Sequence, residues 1–112
     1  MKFLLITIPT EETAGPPSPE LMARMGQFID EQTKAGVLLA TGGLLPISQG
    51  GARVRSKAGK FMVTDGPFTE AKELIAGFAL IEVNSREEAL EASRKFYEIV
   101  GDGEGEIRQV MG

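Results

Sequence analysis

Apolar residues recur along this chain with two periods, and the switch between them marks out its elements. Residues 3–8, FLLITI, form a short apolar run with β-branched residues toward its end and read as a strand. A loop rich in Pro, Gly, Thr and Glu follows over 9–17. Ser18 then stands as a helix N-cap, with Pro19 at the first helical position and Glu20 beside the positive end of the helix dipole. Leu21, Met25, Phe28, Ile29 and Gln32 share one face of a helix that runs to about Ala35 and stops at Gly36. Arg24, Gln27, Glu31 and Lys34 take the opposite face.

The period then shortens to that of strands. Residues 37–45, VLLATGGLL, read as a second strand, and the Gly42–Gly43 pair inside it implies a bulge or close approach by another backbone or a ligand. Residues 52–57 and 60–64 read as a hairpin turning at Ala58-Gly59. Asp65-Gly66-Pro67 is a turn, 68–74 a helical turn or ordered loop, and 75–83, IAGFALIEV, a long strand. Ser85-Arg86-Glu87-Glu88 is a capping box that opens a second helix, with Ala89, Ala92, Ser93, Phe96 and Val100 as its buried stripe. A turn at 101–105 and a strand at 106–111 follow.

The mixture of strand and helix runs lacks strict β-α alternation. It predicts an α+β fold, a ferredoxin-like antiparallel sheet with one added strand and two helices on one face. The strands, however, are apolar on both sides. Phe3 and Leu5 alternate with Leu4, Ile6 and Ile8, and Ala76, Phe78 and Leu80 alternate with Ala79, Ile81 and Val83. An antiparallel sheet in a monomer normally turns polar residues to its open side. The second face is therefore expected to meet another copy of the chain in a two-fold homodimer, or else to wall a ligand cavity or lie under the monomer's own loops.

Composition narrows the chemistry. The 112 residues suit a single domain, 42% apolar and 25% charged. The net charge of −4 disfavours non-specific nucleic-acid binding, which is driven by cations on phosphates. The chain contains no Cys and no His. That excludes a disulfide framework, a Cys/His zinc site, a thiol nucleophile and a His general base. No metal or cofactor site is expected. The first apolar run is too short for a signal peptide or a membrane span, so a cytoplasmic location is expected.

The densest chemistry is Thr64-Asp65-Gly66-Pro67-Phe68-Thr69-Glu70-Ala71-Lys72-Glu73. Asp65 can accept from backbone N–H groups just beyond it, while Gly66 and Pro67 shape the turn, which is an architectural reading. A rigid loop carrying several ionisable groups is also where a site is expected. Just upstream, Arg53, Arg55 and Lys57 alternate on one side of a strand. They could guard a sheet edge, bind a carboxylate or phosphate, or, for Arg53, pair with Asp65. Lys72, between Glu70 and Glu73, reads as an ion-pair partner, and Tyr97 as a packing residue with its hydroxyl at the surface.

The ten-residue run resembles the signature of the DGPF branch of the YCII-related family. MKFLL at the start, Gly42–Gly43 before Leu44-Leu45-Pro46, Arg53-Val54-Arg55, Gly77-Phe78 and Glu88-Ala89-Leu90 agree with it in order and spacing. The resemblance implies a ferredoxin-like subunit in a dimeric α/β-barrel arrangement. It implies less about activity. Some relatives look like small-molecule enzymes with a proposed His–Asp pair, which a chain without His cannot form. Others are associated with transcription.

The expected function is a homodimer with a pocket for a small anionic molecule, drawn from Gly42, Arg53, Arg55, Thr64, Gly66, Phe68, Glu70 and Lys72. Asp65 is its candidate acid–base group. The alternatives are a non-catalytic interaction module and a transcription-associated accessory protein without direct DNA contact.

Overall fold

The computed structural model describes residues 1–8, 17–67 and 76–112. Their elements are β1 (Lys2–Ile8), α1 (Pro19–Lys34), β2 (Leu38–Leu44), β3 (Arg53–Lys57), β4 (Lys60–Thr64), β5 (Ala76–Glu82), α2 (Arg86–Val100) and β6 (Glu104–Gln109). The reading of 68–74 lies outside the described residues.

Local chemistry sets the helix ends. The Ser18 hydroxyl accepts from the Leu21 N–H at 3.1 Å, and α1 ends before Gly36, whose φ of 76° belongs to the left-handed region. At α2, the Ser85 hydroxyl accepts from the Glu88 N–H at 3.1 Å. The Glu88 carboxylate reaches back to accept from the Asn84 N–H at 2.8 Å, one residue earlier than in the usual capping box.

The main sheet has the order β2-β5-β1-β6, with every neighbouring pair antiparallel. The units β1-α1-β2 and β5-α2-β6 are interleaved, so each helix connects strands that are not neighbours. This is the α+β, ferredoxin-like plan. The added segment corrects one expectation. Strands β3 and β4 pair with each other as a separate two-stranded sheet and do not extend the main one. Their turn explains the self-containment: Ala58 and Gly59 have φ of 52° and 78°, which closes a tight two-residue hairpin.

Register assigns the two faces of the sheet. Phe3, Leu5 and Thr7 of β1 stand opposite Ile81, Ala79 and Gly77 of β5. Phe3 and Ile81 are buried with Val83 and Ala89, and Leu5, Leu38, Ala92 and Ile107 pack around them, so this side faces the helices. Leu4, Ile6, Phe78, Leu80 and Ala76 point to the other side and are only half-buried. Leu44 and Ile8 on that side are exposed.

Two further expectations change. The register irregularity in β2 lies between Leu38 and Ala40, not at the glycine pair. The last strand starts at Glu104, so Gly105 belongs to a strand and not to the preceding turn. A side chain at Gly105 would meet the Ile6 carbonyl and the Tyr97 hydroxyl at 2.7 and 2.5 Å, which explains a glycine within the ladder.

Candidate functional site

The hairpin sorts its side chains by register. Arg53 stands opposite Thr64, Arg55 opposite Met62 and Lys57 opposite Lys60. One side therefore gathers four cations on a chain of net charge −4. The other side pairs Val54 with Val63 and Ser56 with Phe61. All ten hairpin strand residues are exposed, including Val54, Phe61 and Val63.

Asp65 and Gly66 follow β4 directly and are exposed. Gly66 has φ of 118° and precedes a cis peptide bond to Pro67. The register puts Thr64, and so the start of this turn, beside Arg53, as its sequence spacing implied. Among the described residues, ion pairs join Lys34 to Asp30 and Arg94 to Glu91 and Glu98. Arg53 also has a partner. Phe68, Glu70 and Lys72 lie outside the described residues. Gly42 belongs to the main sheet, opposite Phe78, and a Cβ there would meet the Phe78 ring at 3.0 Å. What lies close to Gly42 is thus an aromatic ring, not the backbone or ligand expected at the glycine pair.

Sequence reasoning missed a cavity of about 460 Å³ between the helices and the sheet. Met25, Phe28, Phe96 and Tyr97 line its helical side, and Leu5, Thr41, Gly43, Gly77 and Ala79 line its sheet side. Tyr97 is half-buried, with its ring edge-on to Phe96 at 5.2 Å between centroids. Its hydroxyl lies over Gly105 of β6, itself an exposed position. Burial pushes the Tyr97 pKa above its ordinary value, and the nearby charge of Glu104 adds to the rise. The sequence does contain a signal for this cavity, in glycines at mid-strand positions, but only strand register shows that they lie side by side.

Among the described residues, no group of three Asp or Glu could hold a metal ion. Among the same residues, no helix is long and apolar enough to cross a membrane.

Comparison with known proteins gives two findings. An uncharacterised protein of Rhizobium meliloti (strain 1021) is 43% identical over 61 residues, which is 54% of this chain and 48% of that protein. The chain thus spans about half the length of the curated relative it matches. The model of the YCII-related domain matches residues 1–111. With an interleaved α+β sheet and a family match over nearly its whole length, this chain belongs to the YCII-related family.

Proposed function

We propose that the chain is a DGPF-type member of its family that acts as a cytoplasmic homodimer and binds a small anionic molecule. The observation that carries this reading is the unsatisfied chemistry of one subunit. Its main sheet keeps Leu4, Ile6, Phe78 and Leu80 on the side the helices do not cover. Its hairpin exposes Val54, Phe61 and Val63. An isolated two-stranded hairpin is marginal in water, and an apolar sheet face is a standing liability. A second copy of the chain offers complementary apolar surface for both at once, by two-fold symmetry.

The ligand site in this reading is the cationic side of the hairpin and the turn that follows it. Arg55 and Arg53 supply guanidinium groups suited to a carboxylate or phosphate. Thr64, Asp65 and Gly66 stand at the end of the strand beside them. The reading also draws on Phe68, Glu70 and Lys72 of the DGPF run and on Gly42 of β2. In any proton transfer Asp65 is the acid–base group and Arg53 the orienting one.

The test is calorimetric titration of a panel of small carboxylic and phosphoric acids into wild type, Arg55→Ala and Asp65→Ala. At least one ligand should bind wild type, with affinity falling about tenfold in Arg55→Ala, the scale of a lost charge-assisted hydrogen bond. Equal binding by all three folded proteins would overturn the site.

A further inference from the structure

The cavity between the helices and the sheet has a cause in the register of four strands. Gly105 stands opposite Thr7, Thr7 opposite Gly77, and Gly77 opposite Gly43. All four point toward the helices, so one complete cross-strand row carries nothing larger than threonine. The row at the other end of the same face holds Phe3, Ile81 and Leu38, and there the core is closed. The interior is filled at one end of the sheet and hollow at the other.

The glycines differ in what holds them. Gly105 is required by its neighbours, because a Cβ would strike the Tyr97 hydroxyl and the Ile6 carbonyl. Gly43 is not. Its φ is not in the left-handed region, and a Cβ there would meet only the Ala76 carbonyl at 3.9 Å, an ordinary contact. A mid-strand glycine with room for a side chain weakens its strand and calls for another explanation. Left unfilled, a cleft of about 460 Å³ leaves its apolar walls without packing partners. Water is a poor filler, because the walls are mostly apolar and ordered water needs several polar partners. The Thr7 and Thr41 hydroxyls are already turned to the Gly77 and Phe78 carbonyls, at 3.3 and 2.9 Å.

We infer that this cavity is a binding chamber for a compact, neutral, largely apolar molecule, such as a one- or two-ring aromatic bearing a single hydroxyl or carbonyl. Its volume falls within the range of small-ligand pockets. Charge selects against an ion. Among the described lining residues the ionisable ones are Tyr97 and Glu106, and Glu106 pairs with Ile6, on the register that faces away from the helices. Among the described lining residues there is no cation to hold an anion. The aromatic rings of Phe28, Phe96 and Tyr97 suit a planar guest, and the polar groups of Gln32, Ser93 and Tyr97 can take its single hydrogen bond. This site is separate from the hairpin site, and neither depends on the other.

The test uses the neutral fluorescent probe N-phenyl-1-naphthylamine with the full chain. Wild type should bind it saturably, one per chain. Gly43→Leu fills the chamber from the sheet and Ser93→Leu from a helix. Each should weaken binding at least tenfold while circular dichroism shows the fold retained, and the second variant serves if the first fails to fold. Arg55→Ala should bind the probe within twofold of wild type, whether or not it has lost an anionic ligand. Absence of saturable binding to wild type would overturn the inference. So would a folded filled variant that binds as wild type does, or loss of probe binding in Arg55→Ala.

Discussion

Tyr97 joins the helical and sheet walls of the cavity. Its ring packs edge-on to Phe96, its hydroxyl lies over Gly105, and burial disfavours its phenolate. The sign of the pH effect follows. The folded state holds the proton more tightly than the unfolded chain, so the contribution of Tyr97 to stability is intact below pH 10.0. It declines as the pH rises from there through the higher folded-state pKa. The chain has one tyrosine, so absorbance at 295 nm follows this group without interference. The titration midpoint should lie above 10.0 in the folded protein and return to the ordinary value in denaturant. A folded-state midpoint at or below the ordinary value would show that the ring is not packed as described. Arg94, which pairs with Glu91 and Glu98 on α2, is a contrasting case. The hydrogen bond from Arg94 lowers the Glu91 pKa, but the cluster is exposed and solvent screens it.

Among the elements, α2 owes its start to two hydrogen bonds, from the Glu88 N–H to the Ser85 hydroxyl and from the Asn84 N–H to the Glu88 carboxylate. Ser85→Ala removes the cap and should lower the unfolding free energy by about 1 kcal/mol, measured by urea denaturation. A change near zero would mean that another group satisfies the Glu88 N–H. This helix start was legible in the sequence, because the signal is confined to four neighbouring residues. Ser18 with Pro19 was legible for the same reason. The hairpin was legible as a hairpin, and its facing pairs followed from counting outward from Ala58-Gly59. Its separation from the main sheet was not, since apolar alternation reports which sides are apolar and not which strand is the neighbour. The irregularity of β2 was misplaced for a related reason. A glycine pair suggests a bulge, but the ring of Phe78 on Gly42 accounts for that glycine without one. The row of Thr7, Gly43, Gly77 and Gly105 exists only once four strands are in register, so the cavity above it has no local signature.

At the scale of the molecule, the chain is unevenly packed. One end of its helix-facing core is closed around Phe3, Ile81, Val83 and Ala89, while the other end is hollow. The opposite face of the sheet remains apolar and half-exposed, and the hairpin stands apart from the main sheet with both its sides exposed. A second copy of the chain addresses the last two features together, and that pairing is the central claim. Leu80 lies on the open face of the central strand β5, on a register with Leu4 and Ala40, away from the helices. Replacing it with aspartate places a charge where the account puts an apolar interface, at little cost to a solvent-facing position in a monomer. Sedimentation equilibrium of wild type and Leu80→Asp at micromolar concentration tests this most directly. The account predicts a dimeric mass for wild type and a monomeric mass for Leu80→Asp, with helix content unchanged. A monomeric wild type, or a folded Leu80→Asp that remains dimeric, would contradict it.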